Sequence, residues 1–329
     1  MKILILGGTV FLGKQLVRFA LERNHEVCLF NRGIHNPDIF PEVEKIKGDR
    51  GGSLNELKGR IFDVVIDTSG HIPKDVERSA KILSGGSGNY VFVSSISAYK
   101  NFNEFGITEN SETNVLTNGD ADKMTIENYG ALKVMCENEV MKAFKEKSLI
   151  VRPGLIVGDS DWSDRFTYWI HRVDKGGEIL APDSKEERIQ IIDVKDLAEW
   201  IVKMAEENKS GIYNATGPDY ALTWSKFLDT CLEVTNSGAN INWVSEEFLL
   251  KEEVQPWTEI PLWVPEEEQG VNNVSISKAL EAGLTFRSLA DTLADTLRFD
   301  KSRGDDYELR SGLKPAKEAE LLKKWKAGV

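Results

Sequence analysis

Tyr129 and Lys133 are the two residues of this chain whose types and spacing best suit proton transfer. They lie four positions apart in a helical pattern, Tyr-Gly-Ala-Leu-Lys, and this spacing places both side chains on one face of a helix. A phenol titrates at about pH 10, too high for a general acid/base at neutral pH, and a nearby ammonium lowers that pKa. The pair predicts a catalytic tyrosine assisted by Lys133. Because such pairs also arise by chance on helix surfaces, the context decides.

A serine-rich segment supplies a third polar group. The strand predicted at residues 89–94 runs into Ser94-Ser95-Ile96-Ser97. The carboxyl ends of parallel strands are where such sheets bind ligands. A hydroxyl at this point can therefore hydrogen-bond a substrate carbonyl or alcohol beside the tyrosine.

The first thirteen residues predict a site of another kind. Residues 3–6 are an unbroken apolar run, typical of a strand buried on both faces of a parallel sheet. Gly7–Gly8 and Gly13 allow a tight turn, and an apolar helical stripe follows. The N–H groups and the dipole of a helix N-terminus favour a phosphate, so the segment predicts a bound dinucleotide and redox chemistry. Val10 stands where the usual fingerprint has its middle glycine. A strand–turn–helix that binds nothing is the alternative.

The end of the second predicted strand, residues 26–31, bears on the choice of dinucleotide. It lies where a ribose-reading residue belongs, and an acidic side chain there would hydrogen-bond a free 2′-hydroxyl and repel a 2′-phosphate. This chain has Asn31 followed by the cation Arg32. The pattern favours NADP over NAD, with a solvated surface charge at Arg32 as the alternative.

Composition excludes several classes of protein. The 329 residues are 41% hydrophobic and 29% charged, which is ordinary globular composition for one large or two modest domains. A net charge of −12 with no long basic run disfavours binding to a phosphate backbone. Cys28, Cys136 and Cys231 are far apart, which argues against a disulfide framework or thiolate metal site. Neither a signal peptide nor a membrane-length apolar run is present, so a cytoplasmic location is expected.

The first half of the chain alternates strand and helix patterns. Strands are predicted at residues 3–6, 26–31, 43–48, 61–67, 89–94 and 149–152, and helices at residues 10–21, 73–83 and 126–145. This alternation indicates an α/β fold, a doubly wound parallel sheet with helices on both faces.

The second half differs, because all eight tryptophans lie at or after Trp162. Helices are predicted near residues 196–207, 223–235 and 288–298. We expect a dinucleotide-binding domain of residues 1–158 and a smaller, mostly helical substrate domain of residues 159–188 and 223–329. The intervening residues 189–222 are expected to return to the first domain, with residues 189–192 and 212–214 as strands of the main sheet.

These motifs together resemble the extended, atypical short-chain dehydrogenase/reductase superfamily, in its NAD-dependent epimerase/dehydratase-like form. The resemblance covers nearly the whole chain and implies a Rossmann-type sheet. The segments that carry it are residues 7–13, 48–50, 94–99, 129–133, 152–154 and 192–198.

The resemblance also implies roles for individual residues. Ser95, four positions before Tyr99, matches the catalytic serine and acts with Tyr129 and Lys133, while Ser94 is the alternative. Asp49 matches the residue that contacts adenine. The implied cofactor-binding residues are Gly7, Thr9, Phe11, Leu12, Gly13, Asn31, Arg32, Asp49, Arg50, Thr68, Ser69, Gly70, Lys133 and Pro153.

Two departures limit what the resemblance implies. Val10 at the middle glycine position is typical of the atypical branch, and it disfavours the tight cofactor retention of true epimerases. Arg188 lies one residue away from the position of an arginine found in sugar-nucleotide enzymes, so a UDP-sugar substrate is not supported.

The expected function is therefore an NAD(P)-dependent oxidoreductase that transfers a hydride to or from an alcohol or ketone carbon of a small molecule, with Tyr129 as general acid/base. A sugar-nucleotide epimerase with retained NAD is one alternative. A cofactor-binding regulator or RNA-binding protein on the same fold is another. No nucleic acid or membrane partner is expected, and a homodimer is left open.

His71, after the predicted strand at residues 61–67, and an aromatic segment after the predicted strand at residues 149–152 have two interpretations each. His71 faces the substrate or is a hydrogen-bonded loop histidine. Trp162, Phe166, Tyr168 and Trp169 line an apolar substrate pocket or belong to the core.

Three aspartates after the sixth strand raise the question of a metal. Asp159, Asp161 and Asp164 lie close in sequence, but no further ligands converge on them. A solvated loop and helix cap is the favoured interpretation.

Overall fold

The computed structural model describes residues 1–117, 119–304 and 306–328. Its strands are β1 (Lys2–Leu6), β2 (Glu26–Asn31), β3 (Glu44–Lys47), β4 (Phe62–Asp67), β5 (Ser87–Val93), β6 (Ser148–Pro153), β7 (Leu155–Val157), β8 (Glu178–Pro182), β9 (Ile191–Asp193), β10 (Gly211–Ala215) and β11 (Asn240–Val244). Its helices are α1 (Phe11–Glu22), α2 (Pro73–Leu83), α3 (Tyr129–Phe144), α4 (Thr167–Asp174), α5 (Val194–Glu206), α6 (Trp224–Thr235), α7 (Glu246–Lys251), α8 (Ser277–Glu281), α9 (Leu289–Ser302) and α10 (Pro315–Ala327).

Seven parallel strands form the main sheet in the order β10-β6-β5-β4-β1-β2-β3. The central strands are apolar runs, as expected for strands covered on both faces. In β1, Ile3 and Ile5 pack into one core and Leu4 and Leu6 into the other, because successive side chains of a strand point to opposite faces. The predicted doubly wound α/β sheet is confirmed.

Helices cover both faces of this sheet. α1 packs against α5 on one face, and α2 packs against α3 on the other. Cys28 and Cys136 lie in the second of these cores as small buried residues. This arrangement leaves the carboxyl ends of the strands open to form a site.

Two predicted elements differ from the structure. The helix predicted at residues 126–145 begins at Tyr129, because the Asn128 amide bonds backbone groups of the preceding loop at Thr125, Asp120 and Lys123. Residues 189–192 do not join the main sheet, since β9 pairs with β7. The prediction for residues 212–214 is correct, because β10 extends the main sheet beside β6.

A second hydrophobic core lies among the helices of the later half. Trp169, Trp224 and Phe227 make edge-to-face contacts where α4, α6 and α9 meet. β8 and β11 form a separate parallel pair. The predicted domain boundaries remain a prediction. None of the helices in the described ranges has the length and apolar character that a membrane crossing requires.

Candidate active site

A long cleft of about 1500 Å³ follows the carboxyl ends of the main-sheet strands. Gly70 is buried behind its wall instead of lining it. The predicted site residues that line the cleft are Gly7, Thr9, Phe11, Leu12, Gly13, Asn31, Arg32, Asp49, Arg50, Thr68, Ser69, Ser95, Tyr129, Lys133 and Pro153.

The N-terminus of α1 opens into this cleft. Within α1, all of which the structure describes, no side chain caps the first turn and no acidic residue lies in it. Gly13 packs directly on the turn, because a Cβ there would lie 2.7 Å from the Gly8 amide nitrogen. The first N–H groups of the helix are therefore uncapped, and the arrangement fits a pyrophosphate. Val10, at the middle position of the fingerprint, is 39% exposed on the cleft wall.

The end of β2 has a polar but not acidic surface. Asn31 is fixed by its own side chain, whose amide nitrogen donates to the Gly7 carbonyl at 3.0 Å. Arg32 follows on the cleft wall, exposed to solvent. A smaller neighbouring pocket of about 220 Å³ is lined in part by Lys45 and Lys47. Three cations thus lie near the place where a ribose 2′-substituent is read.

Arg50 is engaged within the protein. Its guanidinium donates to both carboxylate oxygens of Asp67, at 2.7 and 2.6 Å, and to the Ser79 hydroxyl at 2.7 Å. Burial favours a higher pKa for Asp67, but the Arg50 charge and hydrogen bonds from Arg50 and Tyr90 outweigh it and hold that pKa below its ordinary value. Arg50 therefore lines the cleft, but its guanidinium is already paired with Asp67 and Ser79. Its charge is not free to bind a ligand. Asp49 is exposed beside it.

Ser95, Tyr129 and Lys133 meet at one end of the cleft. Tyr129 is the first residue of α3 and Lys133 lies one turn later. Ser95 caps a 3₁₀ turn at Ile96–Ala98. Gly130 allows the two segments to touch, since a Cβ there would lie 2.0 Å from the Ser97 carbonyl oxygen. Gly130 directly follows the tyrosine in the sequence, but its position there does not indicate this contact.

The Lys133 ammonium is buried and bound to the backbone. It donates to the Gly70 carbonyl at 2.8 Å and to the Val93 carbonyl at 2.7 Å. Burial lowers the pKa of Lys133 to about 8. An ammonium has three donors, so one N–H remains beyond these two bonds.

The phenol of Tyr129 differs from expectation. Burial raises the pKa of Tyr129, and the Ser95 hydroxyl and the Arg165 charge oppose that shift. The expectation that Lys133 lowers this pKa is wrong for the protein alone, because burial outweighs the groups that lower it and Lys133 is not among those groups. At neutral pH the phenol is therefore protonated.

Ser94 points elsewhere and is buried. Its hydroxyl donates to Glu137, whose carboxylate also pairs with Arg152 at 2.9 and 2.6 Å. The Ser95 hydroxyl, by contrast, perturbs Tyr129. Ser95 is thus the better placed of the two candidate serines.

His71 lies on the cleft wall near Tyr129. The centroids of the two rings are 6.5 Å apart. Its low solvation in the cleft, followed by the Lys133 charge, lowers the pKa of His71 to about 4. No hydrogen bond joins its ring to any residue that the structure describes. The cleft-facing interpretation therefore fits better than a hydrogen-bonded loop histidine.

The end of the cleft that holds Tyr129 is also lined by residues that the sequence only partly indicated. Trp162 lines the cleft and is 59% exposed, but Phe166, Tyr168 and Trp169 are buried in the second core. The aromatic-pocket interpretation is wrong for these three, because their helical spacing turns them inward. Arg165 also lines this end, and no sequence motif marked it.

The three aspartates have separate partners. Asp159 accepts from Gln15 at 3.1 Å, Asp161 accepts from Ser163, and Asp164 pairs with Arg303 at 2.5 Å. Within the described ranges, no cluster of three potential metal ligands is found.

Comparison with known proteins finds a family model that matches the central part of the chain. Residues 63–216 match the model of the NAD dependent epimerase/dehydratase family. A curated relative, the chloroplast stem-loop binding protein of 41 kDa b of Arabidopsis thaliana, is 27% identical over 249 residues. That alignment covers 70% of this chain, which spans only 62% of the relative's length.

Solved structures of low identity share the fold. UDP-glucuronic acid 4-epimerase from Bacillus cereus, in complex with NAD, has a TM-score of 0.66 at 17% identity, covering 93% of this chain and 99% of that one. dTDP-glucose 4,6-dehydratase from Bacillus anthracis, also with NAD, has a TM-score of 0.66 at 14% identity, covering 93% and 98%. The central part of the chain therefore matches the NAD dependent epimerase/dehydratase family, and nearly the whole chain shares its fold with these two NAD-bound structures.

Proposed function

We propose that this protein is an NAD(P)-dependent oxidoreductase of the epimerase/dehydratase-like type, acting on an alcohol or ketone carbon of a small molecule. The observation that carries the proposal is the meeting of Ser95, Tyr129 and Lys133 in one cleft with the uncapped N-terminus of α1. The helix end suits a pyrophosphate, and the three polar side chains suit a reacting oxygen. When bound, the dinucleotide supplies the hydride donor or acceptor.

Each of the three side chains has a distinct role in this proposal. Tyr129 gives its proton to the substrate oxygen in reduction and takes it back in oxidation. Because burial keeps its pKa high, the resting phenol is ready to act as an acid. Ser95 hydrogen-bonds the same oxygen and fixes its position. Lys133 holds a ribose hydroxyl with the N–H that its two backbone carbonyls leave over.

A Tyr129→Phe variant tests this mechanism. We expect turnover to fall by about 10²–10⁴-fold, the usual contribution of a positioned acid/base, while dinucleotide affinity is unchanged. Tyr220→Phe is the control, since Tyr220 is exposed and lies outside the cleft. Turnover is followed by nicotinamide absorbance on a panel of alcohols and ketones. Full activity of Tyr129→Phe on any substrate would refute the mechanism.

We further propose a preference for NADP. Both structural neighbours named above are complexes with NAD, but here β2 ends in Asn31 and is followed by Arg32, with Lys45 and Lys47 near. Direct titration should give tighter binding of NADP than of NAD. Arg32→Gln should weaken NADP by about tenfold, one charge-assisted contact, and leave NAD unchanged. A clear preference of the native protein for NAD would overturn the proposal.

An epimerase with retained cofactor is the alternative within the same class. Both named neighbours carry NAD in their structures, and one is an epimerase. One measurement distinguishes the two alternatives. It is the amount of nicotinamide cofactor that purified protein releases when it is denatured. Release of one cofactor per chain favours the epimerase, whereas the absence of released cofactor favours an enzyme that exchanges its cofactor.

A nucleic-acid-binding function is supported by one observation, the name of the Arabidopsis relative. The net charge of −12 opposes it. Fluorescence anisotropy with an RNA hairpin at two salt concentrations decides between the RNA-binding function and the oxidoreductase. We expect no salt-dependent binding, and tight salt-dependent binding without dehydrogenase activity would favour the RNA-binding alternative.

A cytoplasmic location and a homodimer also remain proposals, to be checked by cell fractionation and light scattering.

A further inference from the structure

Arg165 differs from the other interior arginines in having no carboxylate partner. Among the described residues, no carboxylate lies within 4.0 Å of its guanidinium, although its side chain is partly buried. The other described arginines that are at least partly buried all have one within that distance: Arg50, Arg60, Arg78, Arg152, Arg172, Arg287 and Arg303.

A short chain of hydrogen bonds orients Arg165. The Asp161 carboxylate accepts the Ser163 amide at 2.8 Å and its hydroxyl at 3.0 Å. The Ser163 oxygen in turn accepts a long hydrogen bond from Arg165 Nε at 3.4 Å. Trp257 flanks the guanidinium, 5.9 Å from its ring centre. Both Nη groups lack hydrogen-bond partners in the described part of the chain, at a position that lines the cleft.

The charge of Arg165 is poorly compensated at this position. Burial lowers the pKa of Arg165, while Asp161 and Tyr129 act in the opposite direction. Asp161 is itself buried, and its carboxylate is bound to the Ser163 amide and hydroxyl instead of to Arg165. A guanidinium with two free parallel donors matches a carboxylate or a phosphate, which it binds bidentately.

We propose that Arg165 is the anchor for an oxyanion on the substrate, either a carboxylate or a phosphate ester. The proposal rests on the proposed oxidoreductase function and deepens it, since it selects acidic hydroxy or keto compounds over neutral alcohols. Arg165 is close enough to Tyr129 for each charge to act on the other. The oxyanion would therefore lie on the side of the substrate that carries the reacting oxygen.

Occupation of this anchor has a consequence for Tyr129. An oxyanion on Arg165 neutralises the charge that opposes the raised pKa of the phenol. Substrate binding then keeps Tyr129 protonated, which suits a proton donor in carbonyl reduction.

Direct titration of the full-length chain with simple probes tests the anchor. Malonate, inorganic phosphate and neutral glycerol are titrated calorimetrically into NADP-saturated protein at constant ionic strength. We expect malonate or phosphate to bind the native protein about tenfold more tightly than Arg165→Gln, and glycerol to show no difference. The better of the two anions identifies a carboxylate or a phosphate substrate.

Two further variants separate this site from general charge effects. Arg310→Gln removes an exposed cation from the same end, where its guanidinium lies 5.7 Å from the Trp162 ring centre, and should bind both anions as the native protein does. Arg165→Lys keeps the positive charge but lacks the two parallel N–H donors of the guanidinium. Its anion affinity should lie between those of the native protein and Arg165→Gln. Equal affinity of the native protein and Arg165→Gln for both anions would overturn the anchor.

The outcome is distinguishable from failure of the proposed function. The native protein and Arg165→Gln share the same glycine turn, so their difference reports only the site at Arg165. NADP affinity is measured separately on both. Absent binding of both NADP and NAD would refute the oxidoreductase, and the anion titration, then run without a dinucleotide, would still decide the anchor.

Discussion

Lys133 carries its ammonium where almost no water reaches it. The side chain is 2% exposed, and two backbone carbonyls bind its nitrogen. Burial lowers its pKa to about 8, because desolvation penalises the charged form. At neutral pH the lysine is charged in both the folded and the unfolded chain, so its burial costs stability there.

This linkage predicts how stability depends on pH. In the unfolded chain Lys133 keeps its proton to about pH 10.4, whereas the folded protein releases it at about pH 8. Between these values the unfolded state binds more protons, so stability rises with pH. We expect the free energy of unfolding, relative to Lys133→Met, to rise by about 2 kcal/mol from pH 8 to pH 10.

Urea unfolding at a series of pH values measures this difference. Lys74→Met is the control, because Lys74 is exposed on α2, and its difference from the native protein should be flat with pH. A flat profile for Lys133→Met as well would contradict the predicted linkage.

At the scale of elements, the contact between α3 and the Ser95 segment brings the polar side chains together. Tyr129 starts α3, and Gly130 lies so close to the Ser97 carbonyl that a methyl group there would overlap it. The side-chain amide of Asn114 also binds the carbonyl oxygen of Ser97, at 3.0 Å. The distance between Tyr129 and Ser95 is thus fixed by backbone packing.

A Gly130→Ala variant tests this packing. The added methyl must push α3 away from the Ser95 segment, so we expect turnover to fall by about 10²-fold, as for a misplacement of about 1 Å. Stability should fall by about 1–3 kcal/mol from overpacking. Gly85→Ala is the control, since nothing lies within 4 Å of a Cβ there. Indistinguishable activities of the two variants would show that the contact does not position Tyr129.

At the scale of the whole molecule, local patterns predicted the first half of the fold well. The apolar runs of β1, β2 and β4 are long enough that strand type and parallel pairing follow from sequence. The prediction for β9 is wrong because so short a strand, with Ile191 and Ile192 as its apolar residues, carries no information about which strand it pairs with. The predicted start of α3 is wrong because the Asn128 side chain binds carbonyls of the preceding loop, at Asp120 and Lys123, and these local bonds hold that loop outside the helix.

The candidate site was predictable only where a motif marked it. The glycine turn, Ser95, Tyr129 and Lys133 have characteristic spacing, and the structure brings them to one cleft. The pairing of Arg50 with Asp67 and the carbonyl bonds of Lys133 join distant segments, so spacing could not reveal them. Arg165 had no motif at all.

The loop that carries Arg165 is held by a buried network that joins it to the C-terminal part of the chain. Asp164 is fully buried, and its carboxylate accepts from Arg303 at 2.5 Å, from the Tyr307 hydroxyl at 3.1 Å and from the Arg310 amide at 3.0 Å. Arg303 also binds Asp300, at 2.6 Å. Residues far beyond the cleft thus fix one of its walls.

We therefore expect Asp164→Asn to destabilise the protein by about 3 kcal/mol, since it breaks a buried ion pair, while asparagine tolerates the φ of +60° at this position. Because the loop also carries Arg165, the variant should bind substrate more weakly, while its affinity for NADP should not change. Asp174→Asn is the control, because its 3.0 Å pair with Lys301 is solvent-exposed and contributes at most about 1 kcal/mol. Urea unfolding and cofactor titration measure both effects. If Asp164→Asn were as mild as Asp174→Asn, the buried network would not stabilise the fold, and the C-terminal part would not control the site.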